Sequence, residues 1–100
     1  MTDRGSGRTT RQLAALPDGA FYLVPGMGVV RHCQQLLRSA GRQPRAINFV
    51  TRDMQGTIWG ARVPAWDVDH AYFEVVGSRS GITVYDLLWM AAGQGPLSEQ

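Results

Sequence analysis

Apolar residues fall in blocks whose period changes along the chain. Ala20-Phe21-Tyr22-Leu23-Val24 is apolar throughout and stops at Pro25-Gly26, the pattern of a strand covered on both faces. From 28 to 40 the period becomes helical. Val29, Val30, Cys33, Leu36, Leu37 and Ala40 share one face, with Gly41 as the stop. Ala46-Ile47-Asn48-Phe49-Val50 is a second strand, and a strand, helix, strand order with a right-handed crossover implies a parallel pair. Ala65 to Asp69 predicts a third strand, although Asp67 interrupts its apolar run. Thr9 to Leu16 predicts a short helix halted by Pro17-Asp18-Gly19. Residues 51–64 are less regular: Asp53 to Gly56 suggest a turn, Thr57-Ile58-Trp59 a short edge strand, and Pro64 restricts the backbone beyond it.

Val84 to Ala92 predicts the last helix, with Thr83 as its cap, Asp86 in its first turn, and Ile82 and Leu87 placed as a hydrophobic staple. Its stripe is Val84, Leu87, Leu88 and Ala91. Tyr85 and Trp89 fall off that stripe, so they either pack under the tail or form an exposed patch for a partner. Gly93, Gly95 and Pro96 end the helix, leaving 94–100 as a frayed tail.

Together these elements predict one α/β domain, a small, mainly parallel three-stranded sheet built from 20–24, 46–50 and 65–69 and flanked by helices. Because no helix is evident between residues 50 and 65, an α+β arrangement with an antiparallel hairpin in 57–75 is the alternative.

Composition narrows the function classes. One hundred residues, 44% hydrophobic and 18% charged, suit a folded domain with one modest core and are too few for a complete NTPase. The ten basic residues are all arginine, which favours planar contacts to phosphate or carboxylate. Residues 1–50 carry net +5 and residues 51–100 net −3. That asymmetry describes either a basic face for a nucleotide, nucleic acid or acidic partner, or two halves that neutralise each other on folding. Lysine-rich or aromatic-interleaved basic runs are missing, which makes nucleic-acid binding the weakest of these. The single cysteine, Cys33, lies on the apolar helix face as an inert thiol. A polar start and no long apolar run point to a cytoplasmic protein without a membrane span.

One stretch suggests a ligand. Gly5-Ser6-Gly7-Arg8-Thr9-Thr10 joins two glycines, a cation and hydroxyls to the start of a helix, the ingredients of a phosphate cradle. The competing reading is a flexible tail over residues 1–8. A second cluster, Asp67, Asp69, His70 and Glu74, falls at the end of the third strand, where α/β ligand sites gather. If a helix begins at His70, His70 and Glu74 share a face. These acids otherwise read as a patch paired with arginines, and their spacing is not that of a zinc site.

Gly7-Arg8-Thr9 resembles the end of a Walker A loop, and Ala65-Trp66-Asp67-Val68-Asp69-His70 a worn Walker B strand. The chain is thereby similar, over residues 4 to about 75, to small P-loop-like proteins of bacteriophage genomes. The resemblance implies an incomplete P-loop NTPase-like fold, phosphate or nucleotide held by Gly5, Gly7, Arg8, Thr9 and Thr10, and Mg²⁺ met by Asp69 through water. It implies no ATPase turnover, because Arg8 stands where the motif has lysine, Thr2 where it has its first glycine, and no strand precedes the loop. The alternative class is a non-enzymatic interaction protein that modulates a host protein and uses Tyr85 and Trp89.

Overall fold

The computed structural model describes residues 6–58, 60–72 and 83–99. In chain order it gives α1 (Ser6–Ala15), β1 (Phe21–Leu23), α2 (Met27–Ser39), a 3-10 turn (Pro44–Ala46), β2 (Asn48–Val50), α3 (Gln55–Ile58), β3 (Trp66–Val68), α4 (Val84–Ala92) and a second 3-10 turn (Leu97–Glu99). The sheet has the order β2-β1-β3 and every pairing is parallel. Phe21 is level with Asn48 and Trp66, Tyr22 with Phe49 and Asp67, and Leu23 with Val50 and Val68.

Since side chains alternate across a strand, this register sorts the core into two halves. Tyr22, Ala20, Val24, Ile47 and Ala65 pack with Leu13 and Leu16 near α1 and with Val30, Cys33 and Leu37 of α2. On the opposite face Phe21, Leu23, Val50, Trp66 and Val68 pack with Ile58 of α3 and with Val84, Leu87 and Leu88 of α4. The result is three layers, helices on both faces of a parallel sheet, as the strand pattern predicts.

Among the described residues the alternative hairpin in 57–75 does not form. β2 and β3 are not neighbours; they flank β1 and both run parallel to it. The connection between them crosses one face of β1, and there Thr57 and Ile58 of the expected edge strand lie in the short helix α3 instead. A helical turn closes its own backbone hydrogen bonds while burying Ile58, 2% exposed, against α4.

Local chemistry sets the helix ends. At the end of α2 the Gly41 N–H donates to Arg38 and the Arg42 N–H to Leu37, with Gly41 at φ +80°. This six-to-one, five-to-two closure needs a left-handed residue, which glycine supplies. α4 begins with a reciprocal box: Thr83 Oγ1 accepts from the Asp86 N–H, and the Asp86 carboxylate accepts from the Thr83 N–H. Ile82, the other half of the expected staple, lies outside the described residues.

The C-terminal segment makes packing and hydrogen-bond contacts as far as residue 98. Pro96 is buried, Trp66 Nε1 donates to the Gln94 carbonyl at 2.9 Å, and Ser98 Oγ donates to Asp67 at 2.7 Å. Burial of a proline and two side-chain hydrogen bonds replace the freedom that its glycines suggest.

Candidate functional site

Strands of this sheet are all followed by chain that leaves from one edge, their carboxyl ends. α2 starts there directly after β1, and α1 runs back against β1 so that its first turns lie at the same edge, beside the end of β3. β1 leads to β2 on one side and β3 lies on the other. The crevice between β1 and β3 is therefore the topological switch point at which open α/β sheets bind ligands.

Thr9, in α1, is buried at this edge. Its hydroxyl is 3.3 Å from Asp69 Oδ1 and 3.1 Å from His70 Nε2. With Thr9 donating to the carboxylate, its oxygen is left to accept from His70, which puts a hydrogen on Nε2. Asp69, 3% exposed, also accepts from the Tyr22 hydroxyl at 2.8 Å and from the Ala71 N–H at 3.1 Å. The latter contact turns the chain sharply out of β3, with the Tyr72 N–H closing on the Asp69 carbonyl.

Asp67, 2% exposed, belongs to the same polar seam. Its carboxylate accepts from the Val68 N–H, from Ser98 Oγ and from Gln12 Nε2. Gln12 also donates to the Val68 carbonyl at 2.8 Å, and its oxygen faces the Tyr22 hydroxyl at 2.9 Å. Two buried carboxylates are tolerated because neutral donors from α1, β1 and the last 3-10 turn converge on them. Among the described residues no buried side-chain polar atom lacks a partner.

Several candidates from the sequence meet here. Thr9, Asp67, Asp69 and His70 form one hydrogen-bonded cluster although they come from distant parts of the chain. Gly7, Arg8 and Thr10 lie within α1 rather than in a loop before it. The Thr10 N–H is thus in the span of the helical ladder, and the free donors of a helix start are those of its first four residues. Gly5 and Glu74 lie outside the described residues. Nothing in the sequence pattern singles out Gln12, Tyr22 or Ser98. Tyr22 reads from sequence as one more apolar strand position, and only the register that sets it beside Asp67 reveals its hydroxyl as a donor.

Burial keeps two acidic side chains, Tyr22 and Cys33, protonated near this seam. Burial, then the charge of Asp69, raises the Tyr22 hydroxyl far above its ordinary range, so it serves as a donor. Burial pushes the Cys33 thiol up to about 12, with Asp69 adding to the shift, which leaves it protonated and unreactive as expected. His32 is exposed. No three of the described His, Cys, Asp and Glu residues gather to hold a metal ion. Asp69 has both oxygens engaged in hydrogen bonds, so this donor set does not fit a resident ion.

Tyr85 and Trp89 are both parts of an aromatic cluster with Trp66, with ring centroids 5.1 Å (Trp66–Tyr85) and 6.4 Å (Trp66–Trp89) apart. A Cβ on Gly95 would come within 2.9 Å of the Trp89 ring, so the tail packs on that ring. Trp89 nevertheless stays 43% exposed, and its neighbour Met90 64%. No helix among the described residues is long and apolar enough to cross a membrane. Compared with known proteins, the chain matches no family model, no curated protein and no solved structure.

Proposed function

We propose that the chain is a phosphate- or nucleotide-binding α/β module, P-loop-like in its motifs, that does not turn its ligand over. The observation that carries this reading is the contact of Thr9, in the glycine-bearing first turns of α1, with Asp69 and His70 at the carboxyl end of β3. The N-termini of α1 and α2 share this edge, and a helix start favours an anion through its dipole and its first N–H donors. At α2 the N-cap is Gly26, which makes no side-chain cap bond. Arg8 supplies the cation for a phosphate oxygen, beside Gly7 and Thr9. Any Mg²⁺ arrives with the phosphates and is held by them and by water, while Asp69 fixes Thr9 and the chain turn after β3. Turnover is not supported, because a hydrolase needs a water-positioning group together with its metal and phosphate clamp, and the carboxylates at this edge, Asp67 and Asp69, are committed to structural hydrogen bonds.

A ligand bound only by the folded state at about 100 times its Kd adds roughly 2.7 kcal/mol, a melting shift of order 10 °C for a domain this small. Wild type is expected to show that shift with ATP, GTP or sulfate, with and without Mg²⁺, and Arg8→Ala to lose it. Equal shifts in both proteins, or none at millimolar ligand, would discard the reading.

A second reading, a phage-type modulator of a host protein, is favoured by one feature. Trp89 and Met90 are exposed on α4, and Met90 borders a small apolar groove between α3 and α4 formed with Ile58, Ala61 and Leu87. Tyr85 is half-buried in the aromatic cluster, so the patch centres on Trp89 and Met90.

A further inference from the structure

The sheet has two outer strands, and they are finished differently. In the parallel ladder the Asn48 N–H donates to Ala20 and the Val50 carbonyl accepts from Val24, so residues 48 and 50 turn their backbone groups toward β1 and Phe49 turns both of its groups outward. On β3 Trp66 and Val68 turn outward, and Val68 is closed: its N–H is held by the Asp67 carboxylate and its carbonyl by Gln12. No comparable side chain covers Phe49 among the described residues. Beside it runs an open groove of about 770 Å³, with Val30 and the half-buried Phe49 as apolar floor and with Gln34, Arg38 and Arg45 along its walls.

We infer that this edge of β2 takes an extended peptide segment bearing carboxylates as an added strand. An unpaired strand edge offers alternating donors and acceptors, which an extended peptide matches and from which it gains main-chain hydrogen bonds. Charge selects the peptide. Two arginines and no acid line the groove, so carboxylates placed along the added strand meet guanidinium groups. A second copy of this chain fits less well, since pairing β2 with β2 brings the arginines of both copies together. A nucleic-acid strand satisfies the arginines but sets phosphate oxygens, acceptors only, against outward carbonyls. β2 contributes nothing to the Thr9, Asp69 and His70 cluster, so this inference stands apart from the phosphate-binding proposal.

The test uses the whole chain and a fluorescein-labelled peptide of about ten residues alternating valine and glutamate, long enough to span one strand. Fluorescence anisotropy tracks binding while amide NMR tracks Phe49. The glutamate peptide is expected to bind and to shift the Phe49 amide. N-methylation of its alternate amides should weaken it about tenfold or more, and a valine–lysine peptide should not bind. The double variant Arg38→Glu with Arg45→Glu, two exposed positions, should reverse the preference. The inference is overturned by absence of binding at millimolar peptide, by binding indifferent to N-methylation, or by an unchanged preference in the double variant. It is equally overturned if an oligothymidylate shifts Phe49 where the peptide does not, or if Phe49 shifts with protein concentration alone.

Discussion

Cys33 shows what a single buried group does to stability. It is fully buried, and its thiol is pushed from 9.0 up to about 12. The unfolded chain releases that proton at the ordinary value, whereas the folded chain holds it. The contribution to stability is therefore complete below about pH 9 and is lost as pH rises toward 12, at about 1.4 kcal/mol per pH unit for one proton. Tyr22, also raised, adds a similar loss only above its ordinary 10.0. The urea midpoint of wild type should fall between pH 9 and 10, and that of Cys33→Ala should fall less. Parallel profiles for the two proteins would contradict the assignment. The inertness of Cys33 was legible in its helical position, but the reason Asp67 could interrupt a buried strand was not. A lone acid in an apolar run looks like a fault until Ser98, thirty-one residues away, and Gln12 are seen to donate to it.

Arg42 ties two elements together through their ends. The left-handed Gly41 that closes α2 turns Arg42 back toward α1, where Nη1 donates to the Leu13 carbonyl and Nη2 to the Leu16 carbonyl and to Asp18. The carbonyls at the end of a helix lack their usual i+4 partners; Leu13 accepts from the Leu16 N–H, and the forked cation adds to that bond and meets the Leu16 carbonyl as well. Charge-assisted bonds of this kind are worth more than the pair with Asp18, which is largely exposed and screened. Arg42→Ala should therefore cost about 2 kcal/mol in urea unfolding and Asp18→Ala under about 1 kcal/mol. Lysine at 42 should rescue little, since it cannot fork; equal costs for Asp18→Ala and Arg42→Ala would place the energy in the ion pair instead. Strong periodicity made α2 and α4 readable, because each presents one stripe to one face. α3 was not, since four residues are too few to show a helical period and Thr57-Ile58 also suits a strand.

For the molecule as a whole, the parallel sheet with helices on both faces followed from apolar strands separated by a helical period, whereas the central place of β1 did not. Strand order depends on which side of β1 each connection exits, and nothing in local pattern encodes that. Amide exchange should display the order directly. The amides of Tyr22 and Leu23, in the centre, should exchange slowest. Val68, although on an outer strand, should be protected by Asp67, and Phe49 should exchange fast. Fast exchange at Val68 with protection at Phe49 would reverse the assignment of the two edges. The carboxylate of Asp67, bound to the backbone of its own neighbour, also bears on where the sheet can accept a further strand. A sheet open at both sides offers two places for an added strand, whereas closing Val68 narrows the choice toward β2. A complex with an acidic peptide is therefore expected at one peptide per chain, and replacing Asp67 is expected to change that ratio as well as the stability.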